Sequence, residues 1–398
     1  DLIVASPAVP TDHPLLVAAE AAGVSVTTEI GLFWAHCRGR IIGVTGSVGK
    51  STTAAMIHAA LVGSGRTAWL GGNIGGSLLP DVDRIAADDW VVLELSSFQL
   101  ERLGPQKPRP RVAVVTNLRP NHLDRHGTLA AYRAAKQNLL RWQTAEDVAV
   151  LNADDPDVST WPTAARVRRF GTWREEPPPG AFLDGDRLVV SDGRSLAELP
   201  LSLRVPGEHH RLNAAAAVAA ATAVGVEPQV AVDALNGFRG LPHRLEVLGE
   251  IDGRLWVNDS KATTPESAVA ALRSFDRPVR LIAGGADKGV DLSPLADQIA
   301  ARDAAVYLSG RTGPVIAELL ARRGHRAVTS CETFDESVTA AHRDSRPGDV
   351  ILLSPGCASW GQFRDYRERG ERFAELARTE PPTPGSEGEG IRLSPFTP

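Results

Sequence analysis

Apolar, β-branched runs recur along the first half of the chain, and stretches with helical spacing separate them. The runs at residues 40–45, 90–95 and 111–116 are the clearest, and another follows at 147–151. Uninterrupted apolar runs are typical of strands that are buried on both faces of a parallel sheet. Because a helix such as residues 51–62 fits between successive runs, the pattern predicts an α/β fold with a doubly wound, mostly parallel sheet.

Further elements are predicted around this sheet. They are helices at 12–23, 128–142, 213–224 and 229–237 and a short strand at 24–28. Residues 158–206 differ, because short strand-like pieces alternate there with prolines and with turns that contain glycine and aspartate. This composition predicts a small β-rich insertion.

A second α/β region begins near Leu241. Its predicted strands lie at 254–258, 279–283, 304–308 and 349–353, and its last helix lies at 362–378. Because strands and helices alternate here too, residues 38–240 and 241–378 are expected to form two separate domains. The tail at 379–398 is rich in Pro, Gly, Ser and Glu, a composition that predicts disorder.

Bulk composition narrows the class of protein. The 398 residues suffice for two or three domains, and the net charge of −5 argues against bulk attraction to nucleic acid or anionic membranes. No apolar run approaches the roughly 20 residues of a membrane helix, and no secretory signal is found. The three cysteines are scattered without metal-ligand spacing, so the sequence predicts a cytoplasmic protein.

A glycine-rich turn joins the strand at 40–45 to the helix at 51–62. It reads Gly46-Ser-Val-Gly-Lys-Ser-Thr52, a short variant of the phosphate-binding P-loop. Backbone N–H groups of such a loop point at phosphate oxygens, while the lysine reaches the β- and γ-phosphates and the serine hydroxyl binds Mg²⁺. The strict pattern has glycine where Val44 stands, so a tight turn without a ligand is the alternative.

Two residues near strand ends are candidates for the same magnesium site. Glu94 lies near the carboxyl end of the strand at 90–95, at the sheet edge where ligands gather. Because carboxylates are rare inside buried strands, a metal role is favoured over a structural one. His122 follows the strand at 111–116, and taken alone its position favours a hydrogen-bonded loop residue.

Several segments in sequence order resemble the Mur ligases. They are residues 46–52, 71–75, 93–100, 121–125, 134–136, 240–246, 258–263, 284–288 and 353–359. Residues 93–100, 284–288 and 353–359 are similar to the branch of this family that adds D-glutamate. The resemblance spans about residues 1–378, and the combination is specific although single pieces are not.

The resemblance implies a three-domain ATP-dependent ligase of bacterial peptidoglycan synthesis. Residues 1–37 would be the end of a uridine-diphosphate domain that is mostly missing, a processed terminus being the alternative. A central ATP-binding domain and a C-terminal Rossmann-like glutamate domain would follow. ATP would phosphorylate the alanyl carboxylate of UDP-N-acetylmuramoyl-L-alanine, and D-glutamate would displace the phosphate. Two Mg²⁺ ions and a monomeric state are expected.

Residue roles follow from the same resemblance. ATP contacts are expected from Gly46, Ser47, Val48, Gly49, Lys50, Ser51, Thr52, Asn213, Arg244 and Asp259. Catalytic roles fall to Lys50, Lys136, His122 and Arg244, and metal ligation to Ser51, Glu94, His122 and Lys136. Asn73 would contact the nucleotide precursor, and Lys261, Thr263, Lys288, Ser359, Trp360 and Tyr366 would contact glutamate.

Some of these assignments depend on the resemblance alone. Lys136 would be carbamylated, whereas its position by itself indicates a solvated helix lysine. Arg244 would contact the γ-phosphate, whereas its position by itself favours a surface ion pair. His210 stands where the family often has asparagine, and Tyr366 and Trp360 stand where phenylalanine and leucine are common.

Three alternatives remain open. The first is a ligase of the same architecture that adds L-glutamate or resembles folylpolyglutamate synthase. The second is a P-loop NTPase or kinase without ligase activity, which would turn over nucleotide without any amino acid. The third is a fragment that binds ATP but does not turn it over.

Overall fold

The computed structural model describes residues 1–7, 9–10, 12–74, 76–205 and 207–379, with only the backbone of residues 123 and 124. The chain divides into two compact units, Asp1–Phe238 and Arg239–Pro398. The predicted disordered tail lies outside the described residues from residue 380 onward. Gly75, in the segment 71–75, also lies outside them.

The first unit alternates strands and helices along most of its length. Its strands are β1 (Leu2–Val4), β2 (Ser25–Thr27), β3 (Arg40–Thr45), β4 (Ala68–Gly72), β5 (Trp90–Glu94), β6 (Val112–Val115), β7 (Val148–Asn152), β8 (Arg166–Thr172), β9 (Gly180–Asp184), β10 (Arg187–Ser191) and β11 (Leu196–Pro200). Its α-helices are α1 (Pro14–Ala21), α2 (Glu29–His36), α3 (Lys50–Gly63), α4 (Ser97–Leu103), α5 (Leu123–His126), α6 (Leu129–Gln137), α7 (Glu208–Ala223) and α8 (Pro228–Asn236).

In the part of this unit that the structure describes, β3–β11 form one sheet in the order β11-β10-β9-β8-β7-β6-β3-β5-β4. Its strands are parallel except β10, which is antiparallel to both neighbours. Alternate residues of the central strands enter two apolar clusters, so that Ile42 packs with α3 and α7 while Ile41 packs on the other face. Burial on both faces explains the uninterrupted apolar runs and confirms the predicted α/β fold.

The segment 158–206 is rich in strands, as predicted. Its strands β8–β11 do not form a separate layer, because they continue the central sheet beyond β7. The helices α2, α4 and α5 and the strand β4 were not predicted. The strand β4 is short, lies at the sheet edge and ends in Gly71 and Gly72, so it lacks the apolar run of a buried strand.

The second unit also has a mostly parallel sheet with helices. Its strands are β12 (Glu246–Ile251), β13 (Arg254–Asn258), β14 (Val279–Ala283), β15 (Ala305–Leu308), β16 (Val328–Ser330) and β17 (Val350–Leu353). Its α-helices are α9 (Pro265–Leu272), α10 (Ser293–Ala301), α11 (Gly313–Arg322), α12 (Phe334–Asp344) and α13 (Tyr366–Arg378).

The strand order in this second sheet is β12-β13-β17-β14-β15-β16. All neighbours are parallel except β12, which pairs antiparallel with β13. The missed strands β12 and β16 are the two half-buried edges, where the apolar pattern is weak. Among the described residues of both units, no helix has the length and apolarity needed to cross a bilayer.

Candidate active site

The P-loop lies between β3 and α3, at the carboxyl edge of the central sheet. Gly46 and Gly49 have φ angles of 144° and 87°, in the region that favours glycine. A Cβ atom on Gly46 would lie 1.9 Å from the Thr116 hydroxyl, and one on Gly49 would lie 2.4 Å from the Asn213 amide oxygen. Both glycines are therefore required by the close packing around the loop.

A bracket formed by Thr116 and Asn117 holds the P-loop from the neighbouring strand β6. The Asn117 side chain accepts a hydrogen bond from the Val48 N–H and donates one to the Val48 carbonyl, each at 3.0 Å. The Thr116 hydroxyl donates to the same carbonyl at 2.6 Å, and the Asn117 carbonyl accepts from the Ser47 N–H at 2.9 Å. This bracket fixes the peptide plane at Val48.

Two lysines donate to carbonyls of the P-loop. Lys50 Nζ lies 2.9 Å from the Ser47 carbonyl, and Lys136 Nζ lies 2.7 Å from the Gly46 carbonyl. Lys136 is 1% exposed, so its interpretation as a solvated helix lysine is wrong. Burial, reinforced by the nearby Lys50 and opposed by Glu94, holds the pKa of the Lys136 ammonium well below its usual value.

Lys136 and the P-loop meet around the ring of Tyr132. Lys136 Nζ lies 4.5 Å from the ring centroid, and the Tyr132 hydroxyl lies 3.2 Å from the Ser47 hydroxyl. Tyr132 is almost fully buried, and this burial raises the pKa of its hydroxyl. The two residues are four apart on α6, so one helical face presents both to the loop.

Glu94 ends β5 next to the P-loop strand and is 2% exposed. Its Oε1 atom accepts a hydrogen bond from the Asn73 amide at 2.9 Å, while the Asn73 N–H donates to the Glu94 carbonyl at the same distance. Its Oε2 atom is buried, and the described residues offer it no partner. Asn73, predicted to contact the nucleotide precursor, is exposed beside this carboxylate.

The unpartnered Oε2 atom of Glu94 is the observation that bears on whether a magnesium ion fits the site. A buried carboxylate oxygen without a donor is costly unless a cation or water satisfies it. Mg²⁺ prefers hard oxygens such as this one and the Ser51 hydroxyl, so the donor set fits a magnesium ion. Among the described residues, no group of three or more His, Cys, Asp and Glu side chains could hold a metal. A complete ligand set would therefore need oxygens from other sources, such as phosphate, water or a modified Lys136.

His122 adopts a left-handed backbone conformation with φ of 54° and lies among aromatic rings. Its ring centroid is 5.0 Å from that of Phe98 and 6.3 Å from that of Tyr132. The His126 ring stacks on Phe98 at a centroid distance of 5.3 Å, and its Nε2 atom lies 3.0 Å from the Ser97 hydroxyl. The aromatic cluster therefore places His122 near the face of α6 that carries Tyr132 and Lys136.

Asn213 approaches the P-loop helix from α7. Its side-chain oxygen accepts a hydrogen bond from the Thr53 hydroxyl at 3.3 Å, and its amide lies 3.3 Å from His210 Nδ1. Both α7 residues are buried. His210, which stands where the family often has asparagine, thus directly contacts Asn213, one of the residues expected to contact ATP.

In the second unit, the predicted glutamate-binding residues gather near the carboxyl ends of β13, β14 and β17. Lys261 Nζ lies 5.6 Å from the Tyr366 ring centroid, and Lys288 Nζ lies 5.4 Å from that of Trp360. Lys288 Nζ also lies 3.5 Å from the Thr263 carbonyl. Ser359 is buried at the end of the loop that follows β17. The two cations sit on aromatic rings, which suits binding of an anionic ligand.

Arg244 lies in a strained turn before β12. Its neighbours His243 and Leu245 have φ angles of 62° and 43°, and its own N–H donates to the Leu241 carbonyl at 3.1 Å. Its Nε atom is buried with no partner among the described residues, which does not fit the alternative of a surface ion pair.

Asp259 follows β13 and fixes this turn from inside the second unit. Its carboxylate accepts hydrogen bonds from the Leu245 N–H at 3.1 Å and from the Ser354 hydroxyl at 2.7 Å. Burial raises the pKa of Asp259 to about 7, although these donors and the charges of Arg244 and Arg369 act in the opposite direction. Asp259, which is expected to contact ATP, thus also holds the turn that contains Arg244.

Comparisons with known proteins show which family combines a P-loop with a second unit of this kind. Residues 44–221 match the family described as Mur ligase middle domain, and residues 243–357 match Mur ligase, glutamate ligase domain. The chain belongs to the Mur ligase family. It is therefore an ATP-dependent ligase that forms amide bonds, which argues against a P-loop NTPase or kinase without ligase activity.

Relatives of this Mur ligase carry a specific name. UDP-N-acetylmuramoylalanine–D-glutamate ligase of Pelotomaculum thermopropionicum is 40% identical over 379 residues, covering 94% of this chain and 83% of the relative. The enzyme of that name from Symbiobacterium thermophilum is 41% identical over 384 residues, with the same coverage of both proteins.

Solved structures show the same fold. UDP-N-acetylmuramate-alanine ligase MurC of Thermotoga maritima has a TM-score of 0.65 at 22% identity, covering 94% of this chain and 84% of that one. MurF ligase of Thermotoga maritima, in complex with ADP, has a TM-score of 0.64 at 19% identity, covering 94% and 93%.

Two structural features of this Mur ligase were not predicted from its sequence: the buried Arg369 and the Asn117 bracket. Arg369 is 2% exposed and donates to the Ser260 hydroxyl and carbonyl and to the Cys357 carbonyl at 2.9–3.3 Å. It thereby ties the loop after β13 to the loop after β17. In the sequence it lies among charged residues of a predicted helix, so no local signal marks it as buried.

Proposed function

We propose that this Mur ligase joins D-glutamate to UDP-N-acetylmuramoyl-L-alanine in the bacterial cytoplasm, with ATP as the energy source. The names of its relatives, at 40–41% identity over 94% of the chain, carry this proposal. The two aromatic-backed lysines of the second unit, Lys261 and Lys288, support it, because a dicarboxylate amino acid offers two anions.

The reaction proceeds in two balanced steps. A carboxylate oxygen of the alanyl group attacks the γ-phosphorus of ATP, which forms an acyl phosphate and releases ADP. The uncharged amine of glutamate then attacks the acyl carbon and releases one proton to solvent, and the tetrahedral intermediate expels phosphate as the amide forms. Each step concentrates negative charge, so Lys50 and Arg244 act by stabilising phosphate oxygens.

Magnesium would be held by Ser51, Glu94, His122 and Lys136, and when bound it would screen the phosphate charges. Lys136 reaches this role as a carbamate, since an uncharged amine can attack CO₂ and release a proton. The lowered pKa of Lys136 increases the fraction of uncharged amine. The carbamate oxygens would add hard ligands beside the unpartnered oxygen of Glu94.

Glutamate binding falls to residues of the second unit. Lys261 and Lys288 pair with the two carboxylates, while Thr263 and Ser359 supply polar contacts. Tyr366 and Trp360 form the aromatic backing of the two ammonium groups. Phenylalanine and leucine are common in the family at these two positions. Tyr366 and Trp360 are also largely apolar side chains, so the substitutions keep the surface beside the two ammonium groups apolar.

Phosphate release with defined substrates tests the proposal. Purified chain, ATP, Mg²⁺ and UDP-N-acetylmuramoyl-L-alanine should release phosphate with D-glutamate and not with L-glutamate. Use of L-glutamate alone would refute the stereochemical assignment, and release without any amino acid would argue against coupling to amide formation.

A matched pair of variants links the activity to the second unit. Lys288→Gln should raise the KM for D-glutamate by about tenfold or more, because a charged contact contributes roughly 1.5–3 kcal/mol. Arg322→Gln serves as the control, since Arg322 on α11 has a 69% exposed side chain that pairs with Glu318 on the same helix. An unchanged KM for D-glutamate in Lys288→Gln would remove this lysine from the binding site.

A further inference from the structure

A cavity of about 630 Å³ lies at the amino-terminal edge of the central sheet. Its lining includes the first residues of β3, β5 and β8, which are Arg40, Trp90 and Arg166, together with the C-terminal end of α7. The P-loop follows the opposite end of β3. Because β3 has six residues, roughly 20 Å of extended strand separates this arginine cavity from the P-loop.

The floor of the arginine cavity is apolar and its rim is cationic. Val112 and Val148 are directly opposed across β6 and β7 and form the floor. Arg40, Arg111 and Arg166 form the rim. The strand order β3-β6-β7-β8 places the outer two arginines three strand spacings apart, or about 14 Å at the backbone.

Carboxylates neutralise this rim only weakly. Arg111 lies 3.6 Å from an oxygen of Asp147. The other oxygen of that carboxylate is engaged more closely by Arg109, at 2.7 Å, which lies outside the cavity lining. The guanidinium of Arg111 thus shares this carboxylate with a stronger partner, and its side chain remains 48% exposed.

The outer two arginines have no carboxylate partner in the part of the chain that the structure describes. The Arg40 guanidinium lies 5.6 Å from the Trp90 ring centroid. Arg166 donates to the Glu146 carbonyl at 3.4 Å. Neither contact neutralises a charge, so the rim keeps the full positive charges of Arg40 and Arg166 in a chain whose net charge is −5.

The negative end of the α7 dipole does not account for these cations. Arg66 already donates to the Val224 and Gly225 carbonyls that follow the helix, at 2.6 and 2.9 Å. Arg168 donates to the Thr222 hydroxyl in the last turn at 3.0 Å. Arg66 and Arg168 therefore form the hydrogen bonds at the C-terminal end of α7, and the rim arginines remain available to a ligand.

We propose that the arginine cavity binds an extended anion with two or three linked phosphate groups, at a site separate from the P-loop. A planar guanidinium group can bind two oxygens of one phosphate group at the same time. Three arginines that are spread along one edge of the cavity therefore suit an extended oligophosphate better than a single phosphate. Trp90 is 6% exposed, so its ring offers little surface on which a base could stack. Recognition therefore rests on the phosphates rather than on an attached base.

Calorimetric titration with inorganic tripolyphosphate tests this proposal. The full chain is first saturated with Mg²⁺ and a non-hydrolysable ATP analogue, so that the P-loop is filled. One saturable site is expected, and the double variant Arg40→Gln/Arg166→Gln should weaken it at least tenfold. Arg322→Gln, which removes one exposed cation from the second unit, should leave it unchanged.

Three outcomes would overturn the proposal. They are the absence of saturable binding, equal affinity in the double variant, and displacement of the ATP analogue by tripolyphosphate. Circular dichroism on heating verifies that the double variant is folded. If that variant does not fold, the single variant Arg111→Gln must still weaken binding measurably, since its side chain is half exposed.

Discussion

Lys136 illustrates how much a single residue depends on its surroundings. Its amine is buried against the Gly46 carbonyl and the ring of Tyr132, about as far from solvent as a lysine can be. A buried ammonium loses its hydration, which favours the uncharged amine. This amine is the chemical form from which a carbamate can be made, so burial and proposed function are connected at this residue.

Replacing Lys136 with arginine separates charge from carbamylation. Arginine keeps a cation but does not form a carbamate, so kcat should fall by about 10²–10³, the loss typical of one preorganised electrostatic group. Steady-state phosphate release measures this effect. The control is Arg133→Lys, an exchange of cations on the same helix at a residue paired with Asp157, and it should retain activity. Full activity in Lys136→Arg would exclude the carbamate.

The raised pKa of Asp259 implies that the free energy of unfolding depends on pH. Its folded-state pKa of about 7 exceeds the ordinary 3.8, so the folded chain binds more protons than the unfolded chain between these values. The stability contributed by the protonated carboxyl is present below about pH 4 and is lost as the pH rises through about 7. Asp259→Asn should therefore show a smaller fall of unfolding free energy over this range than the wild type. Denaturant titrations at several pH values measure it, and equal slopes would contradict the raised pKa.

At the scale of elements, the P-loop depends on the strand beside it. The loop after β6 supplies the Thr116 and Asn117 bracket, which holds the Val48 peptide by hydrogen bonds in both directions. A phosphate loop works by presenting N–H groups in a fixed arrangement. The order of strands, with β6 next to β3, is therefore a condition for the loop geometry.

Asn117→Ala tests this dependence. It removes two side-chain hydrogen bonds, each contributing about 1 kcal/mol, and should weaken ATP binding by up to about thirtyfold. Asn117→Asp keeps the acceptor for the Val48 N–H but sets a carboxylate oxygen against the Val48 carbonyl and adds a negative charge beside the phosphate loop, so it should bind ATP no more tightly than Asn117→Ala. Titration calorimetry with ATP and Mg²⁺ measures both. If Asn117→Ala binds ATP as tightly as the wild type, the bracket does not position the loop.

The elements that the sequence predicted and those that it missed differ in burial. Strands such as β3 and β14 are largely apolar because both faces are covered, and their patterns are unambiguous. Edge strands such as β4 and β16 are half exposed, and local composition does not distinguish them from loops. The P-loop was recognisable because its chemistry is local, whereas the Asn117 bracket depends on strand order, which the sequence does not state.

At the scale of the whole molecule, the proposed chemistry is divided between two α/β units. The first contributes the phosphate loop with Lys50, Glu94 and Lys136, and the second contributes Lys261 and Lys288. Motif order along the chain was sufficient to predict the family. Burial was not predictable in the same way: Lys136 and Arg369 have polar neighbours in sequence, and only tertiary packing encloses them.

In the proposed reaction, the phosphoryl group of ATP activates a carboxylate for amide formation. Substrate labelled with ¹⁸O in the alanyl carboxylate tests it directly, because one carboxylate oxygen must leave with the phosphate. With D-glutamate present, mass spectrometry should find one ¹⁸O atom in the released phosphate for each amide formed. Unlabelled phosphate would contradict the acyl-phosphate route.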